Sequence, residues 1–282
     1  MNTVWSDHIQ GVLTLYLSRK LRFDDAFRER YEAAFRMPGG AKKRVLEIGC
    51  GPGATAGALH RWHPDWEITA LDRDRRFISF AREHEPGIDF IEGDAACLPF
   101  ADESFDVTIS YTVQEHVAPG AFWGEQRRVL RSGGVCLCLS VRKGIEIRAD
   151  CLRPTPEEER FWAGLASDDT LEKYGVGRYR CSEAELPRQM EQHGFRNVST
   201  GYALIDLTPD DPRYPAAFAL RMIEAERQSD IEAILSAPAD GREEVLRAVN
   251  EQYDARRRLY DDGQKQWDTA VTLTLIVRGE KE

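Results

Sequence analysis

Three carboxylates, Glu47, Asp72 and Asp94, stand near or just beyond the ends of short apolar runs, and Gly49, Gly51 and Gly53 follow the first of them at alternate positions. A carboxylate at a strand tip can hold an ammonium group or accept two hydrogen bonds from a ribose diol. The glycines supply backbone angles closed to other residues and leave room for a ligand against a helix N-terminus. Spaced in this way, the residues describe a turn built for close approach of a nucleoside. Two chemistries compete for it. Gly49-x-Gly51-x-x-Ala54, with Asp72 about 20 residues on, fits the dinucleotide fingerprint of a nicotinamide oxidoreductase. Glu47, however, would repel a pyrophosphate and suits a ligand carrying an ammonium or sulfonium, and Gly53 comes one position too early for the dinucleotide pattern.

The elements that must hold these residues are legible in the hydrophobic pattern. An apolar strand into Ile48 breaks at the glycine turn, and helix-forming residues follow over 54–62. A second strand over 66–71 ends in Asp72, a helix follows over 75–84, and strands over 88–91 and 105–110 come next. Ahead of all this, Val4, Ile9, Val12, Leu13, Tyr16 and Leu17 fall at helical spacing, and Phe27, Tyr31, Ala34 and Phe35 predict a second helix. Pro38-Gly39-Gly40 should end it.

The 282-residue chain has a net charge of −10 and a pI near 5.3. Binding along phosphates needs a clustered Lys/Arg face, so nucleic acid is not expected as a partner. No apolar run approaches the roughly 20 residues of a membrane span, and the N-terminus lacks the pattern of a signal peptide, so a soluble, cytoplasmic protein is expected. The six cysteines show neither CxxC pairing nor the density of a disulfide scaffold. Cys136 and Cys138 should share one buried face of a strand, whereas Cys151 and Cys181 leave open a thiol pair for a soft metal. No metal site is expected otherwise.

Further motifs decide between the two chemistries. Gly93-Asp94-Ala95, Leu98-Pro99-Phe100, Ser104-Phe105-Asp106, Glu115-His116-Val117 and the run from Arg128 to Val135 follow the glycine turn in order. Over residues 43–141 this block resembles the class I S-adenosylmethionine (SAM) dependent methyltransferases of the small-molecule type. Ser132 departs from the family, which usually has proline before the two glycines. The resemblance implies an α/β fold, a Rossmann-like doubly wound seven-stranded sheet whose last strand is antiparallel. It also implies SAM as cofactor and S-adenosylhomocysteine (SAH) as product.

Carried over residue by residue, the cofactor-binding set is Glu47, Gly49, Cys50, Gly51, Gly53, Asp72, Arg73, Asp94, Ala95, Tyr111 and Tyr16. Glu47, Gly49 and Gly51 line the methionine portion, Asp72 holds the ribose hydroxyls, Asp94 with Ala95 meets the adenine, and Tyr111 sits near the sulfonium. His116 is the candidate general base, with Glu115 or Tyr111 beside it, and His8 is a weaker one; the competing reading is a His116 that only ties its loop to backbone. SAM carries its own activated methyl group, so the chemistry requires no metal. Tyr111-Thr112-Val113-Gln114 stands where nucleobase amino-methylating enzymes typically show Asn/Asp-Pro-Pro-Tyr, which favours a small organic acceptor. A protein acceptor and a non-catalytic SAM-binding protein are the alternatives.

The rest of the chain is less regular. Residues 142–181 form a polar segment with a short helix over 157–166, and Ser182-x-x-Glu185 reads as a capping box opening a helix that ends at Gly194. Strands are expected over 195–207 and 271–277, with helices over 218–235 and 243–260 between them and a turn from Pro238 to Gly241. The expected organisation is an N-terminal helical cap (1–40), a SAM-binding core (41–207 with 263–282) and a helical insertion (208–262). The apolar faces of that insertion are expected to cover either the pocket mouth or a second copy of the chain as a homodimer contact.

Overall fold

The computed structural model describes residues 5–37, 42–165, 172–237 and 241–282. Val4, Pro38-Gly39-Gly40, Ala166 and Pro238, to which the sequence assigns helix ends and turns, lie outside the described residues. The chain forms two compact units: one of residues 1–142, 170–204 and 273–282, the other of 143–169 and 205–272.

The first unit is organised by strand β1 (Arg44–Ile48), whose last four residues are buried. A strand with apolar side chains on both faces belongs in a parallel sheet covered by helices. β1 pairs in parallel with β2 (Glu67–Asp72) on one side and β4 (Phe105–Tyr111) on the other, β2 pairs with β3 (Asp89–Glu92), and β4 with β5 (Leu130–Ile147). With β6 (Phe195–Leu207) and β7 (Thr269–Lys281) the order is β3-β2-β1-β4-β5-β7-β6, mixed by an antiparallel pairing near the C-terminus. The chain reverses direction of sheet growth between β1 and β4, and open α/β sheets place ligands beyond the strand ends at such a switch point.

Helices follow where the spacing predicts them. α1 (Trp5–His8), α2 (Val12–Arg22) and α3 (Arg28–Phe35) precede the sheet, and the first expected helix is therefore two, separated where Gly11 caps α2. α4 (Ala54–Trp62), α5 (Arg75–His84), α6 (Pro119–Val129), α7 (Pro156–Leu165) and α8 (Glu185–Gln192) come later in the chain. The capping box is reciprocal: Ser182 N–H donates to Glu185 Oε2 at 2.7 Å and Glu185 N–H to Ser182 Oγ at 3.3 Å. One core cluster joins Phe122, Trp123, Leu186, Met190 and Phe195 with Cys136 and Cys138, which share a buried face of β5. β5 differs from expectation at both ends. It begins at Leu130, with the glycine turn inside its span, and continues to Ile147, so part of the polar segment is strand.

In the second unit α9 (Ala216–Ser236) and α10 (Arg242–Asp261) pack against each other as a hairpin. Val245, Val249 and Tyr253 recur every four residues and are buried together with Ala149, Leu152, Ile223 and Ile234. The insertion's apolar face thus has a third cover that the sequence did not suggest: the unit's own 149–165 segment, including Phe161 and Trp162. Beside it Arg256, fully buried, donates from Nε and Nη2 to Asp268 and from Nη2 to Asp210 Oδ2 at 3.0 Å. The same Asp210 Oδ2 also accepts the Gln266 and Trp267 N–H groups, at 2.7 and 2.9 Å.

Candidate cofactor cleft

A cleft opens at the carboxyl ends of β1, β2 and β4, lined in part by Glu47, Gly49, Cys50, Gly51, Asp72, Arg73, Asp94, Ala95, Tyr111 and His116. The local sequence explains why it stays open. Gly49, Gly51 and Gly53 all hold positive φ, and a Cβ on Gly49 would stand 2.3 Å from Val113 Cγ2. The turn is pinned from below, since the Gly49 and Cys50 N–H groups donate to Leu71 O at 2.7 and 3.0 Å. Gly53 has a different task. Its Cβ would meet Ala81 and Phe90, so it lets the turn close against α5 and β3 and does not line the cleft.

The carboxylates come together as expected. Glu47 is buried and its Oε2 has no hydrogen-bond partner among the described residues. Burial pushes its carboxyl up to about 8, the charge of Asp72 adds to this, and Arg19, the Ala56 N–H and the Thr55 hydroxyl oppose it. Asp72 is held by backbone: Gly51 N–H donates to Oδ2 at 2.9 Å and Asp74 N–H to Oδ1 at 2.8 Å. Burial raises it to about 6 against these donors. Asp94 lines the cleft beside Ala95, its Oδ1 also accepting the Ala96 N–H at 2.8 Å.

Tyr16 is a correction. On α2 the residues facing the cleft are Leu15 and Arg19, while Tyr16 turns toward α5, donates to Glu85 Oε1 at 2.7 Å and packs on Phe80. Arg19, which the sequence did not single out, lines the cleft. Its guanidinium lies 4.1 Å from the centre of the Tyr111 ring and donates to Thr112 Oγ1 at 2.8 Å. Its only signal in the sequence was a position four residues after Leu15, on one helix face. Tyr111 is buried beneath it, with Phe23 edge-on at 5.0 Å.

His116 lines the cleft, with Trp5 edge-on at 4.8 Å. Its Nδ1 accepts the Gly177 N–H at 2.9 Å, so the neutral ring carries its proton on Nε2, which lies 3.4 Å from Glu115 Oε1. Burial, with Arg73 and Arg180 nearby, lowers the imidazole to about 4. The ring's lone pair is occupied, which does not fit the base role and does fit a loop tie. Glu115 stands behind His116 and not on the cleft wall. His8 stacks on Tyr174 at 4.8 Å, outside the cleft lining. Among the described residues no group of three or more His, Cys, Asp or Glu side chains could hold a metal, and Cys151 and Cys181 belong to different units.

Residues 46–138 match the family described as a methyltransferase domain. The chain is 43% identical over 168 residues to phthiotriol/phenolphthiotriol dimycocerosates methyltransferase 1 of Mycobacterium ulcerans, covering 58% of this chain and 55% of that one. It is 38% identical over 125 residues to a fatty-acid O-methyltransferase of Mycolicibacterium smegmatis, covering 43% and 42%. These matches thus span about half the length of those relatives. A phosphoethanolamine N-methyltransferase 2 of Haemonchus contortus, solved in complex with SAM, shares the fold with a TM-score of 0.55 at 14% identity, over 98% of this chain and 59% of that one. No described helix is long and apolar enough to cross a membrane. Residues 46–138 thus match a methyltransferase domain, and the chain shares the fold of an enzyme solved with SAM.

Proposed function

We propose that this protein moves the methyl group of SAM to a small, lipid-like organic acceptor by in-line displacement. The observation that carries the reading is the buried Glu47 carboxylate, whose Oε2 has no hydrogen-bond partner among the described residues, beside Asp72 on one cleft wall. A buried carboxylate costs free energy unless a cation meets it, and the ammonium of a methionine moiety is such a cation. In this reading Glu47 holds the ammonium, Arg19 neutralises the carboxylate, Asp72 accepts from the ribose hydroxyls, and Asp94 with Ala95 meets the adenine. When bound, SAM supplies an electrophilic methyl group on a sulfonium. The protein's share is to align the acceptor and exclude water, tasks for which Trp5, Tyr111 and Val113 on the cleft wall are suited. The acceptor class draws on the relatives, whose names specify dimycocerosates and fatty acids as their substrates.

Incubating the purified chain with isotopically methyl-labelled SAM and a lipid and metabolite extract tests this. Mass spectrometry should find label in a small organic product together with SAH. SAM binding without transfer to any small molecule contradicts the reading.

A further inference from the structure

Arg142 sits on β5 at the same sheet edge as the cleft, beyond Leu139, whose register partner Tyr111 lines the cleft. Its guanidinium is half used. Nη1 donates to Cys181 O at 2.8 Å, whereas Nε and Nη2 are buried with no hydrogen-bond partner among the described residues. The divided use matters because Nε–H and Nη2–H project in parallel from one edge of the guanidinium, the edge that grips a carboxylate with two hydrogen bonds. The orientation is fixed from behind. Cys181 Sγ contacts Gln114 Oε1 at 3.4 Å, and the buried Gln114 donates to Tyr179 O at 3.3 Å.

Other charges nearby make the region cationic. Glu115 feels Arg180, Arg142 and Arg19, yet no ion pair joins it to any of them among the described residues; its close contact is His116 Nε2 at 3.4 Å. Arg180 lies over Gly177, where a Cβ would stand 2.4 Å from its Nε. After burial, Arg73 and Arg180 are what depress the imidazole of His116 on the cleft wall.

We propose that Arg142, assisted by Arg180, forms a carboxylate-binding subsite for the methyl acceptor, with the open edge of Arg142 as its fork. This rests on the methyltransferase reading of the cleft. A buried cationic N–H pair with no partner among the described residues is met best by a two-oxygen anion, and a neutral oxygen meets it more weakly. The fork thereby selects acceptors bearing a carboxylate over the corresponding alcohols.

The test is calorimetric titration of the SAH-saturated full chain with straight-chain carboxylates from acetate to hexadecanoate and with benzoate, each against its alcohol and its phosphate ester. At least one carboxylate should bind tenfold or more tightly than its alcohol. Arg142→Gln should lose about tenfold for that carboxylate, Arg142→Lys should recover only part of it, and Arg180→Gln should lose about threefold. SAH affinity, unchanged in Arg142→Gln, shows that the variant is folded. Binding of no carboxylate in the panel, equal binding of alcohol and carboxylate, tighter binding of the phosphate, or an Arg142→Gln affinity like wild type overturns the subsite. Failure of the wild-type chain to bind SAH is a separate result and overturns the methyltransferase reading itself.

Discussion

Each unit holds a pair of carboxylates at least one of which is buried, and the two pairs are treated in opposite ways. In the second unit Asp210 and Asp268 close on Arg256, and Asp210 Oδ2 also takes two backbone N–H groups. In the first, burial and the charge of Asp72 raise the proton affinity of Glu47, whose Oε2 has no partner among the described residues. A compensated cluster belongs to the fold, whereas an uncompensated one costs stability that only a ligand returns. Burial alone does not separate them, since Glu47 is 1% exposed and Asp268 is 3% exposed. The difference lies in direct pairing: Arg256 pairs with Asp210 and Asp268, whereas no ion pair of Glu47 or Asp72 forms among the described residues.

The largest effect should come from breaking the compensated cluster. Arg256→Leu leaves two buried carboxylates facing each other, and should lower unfolding stability by about 3–5 kcal/mol in denaturant titrations. Glu47→Gln should act in the opposite direction on the ligand-free protein. Because the folded carboxyl is raised to about 8, the native state holds a proton that the unfolded chain has released, so wild-type stability falls as pH rises from the usual Glu value toward 8. Each pKa step is worth about 1.4 kcal/mol at most, and the variant should be more stable at pH 8 by a few such steps or less, while binding SAM more weakly. A Glu47→Gln protein less stable than wild type at pH 8 would erase the contrast.

Asp72 falls between the two clusters, since backbone N–H groups hold both its oxygens in place. Asp72→Ala should weaken SAM binding by about 1–3 kcal/mol, tenfold or more by calorimetry. The smallest effect is expected at His116. With Nδ1 committed to Gly177, His116→Asn should keep turnover within about threefold of wild type and lower Tm by a few degrees, as befits one lost hydrogen bond. A hundredfold loss of kcat without loss of Tm would restore the base role.

The same contrast explains what could be read in advance. Glu47, Asp72 and Asp94 were legible because strand tips and glycine turns are local patterns, and the order of motifs through residues 43–141 fixed the sheet that joins them. Arg19 was not, because its value comes from Tyr111 and Thr112, distant in sequence and brought beneath α2 by the fold. Tyr16 was misplaced for a related reason: on one turn of helix, adjacent apolar and polar residues face different neighbours, and the pattern does not say which faces the ligand. The core of the second unit was hidden because α10 meets residues 149 and 152, about a hundred positions earlier, and the 3.6-residue period shows that a face is buried without showing what covers it.

The central claim is that Glu47 awaits a cation carried by the cofactor, and proton release on binding tests it most directly. SAH should be titrated calorimetrically near pH 7 in buffers of differing ionisation enthalpy. The account predicts release of close to one proton per site in wild type, as the ammonium pulls Glu47 from about 8 to below the working pH, and no such release in Glu47→Gln, which also binds more weakly. Binding with no buffer dependence in wild type, at an affinity that Glu47→Gln shares, would contradict it.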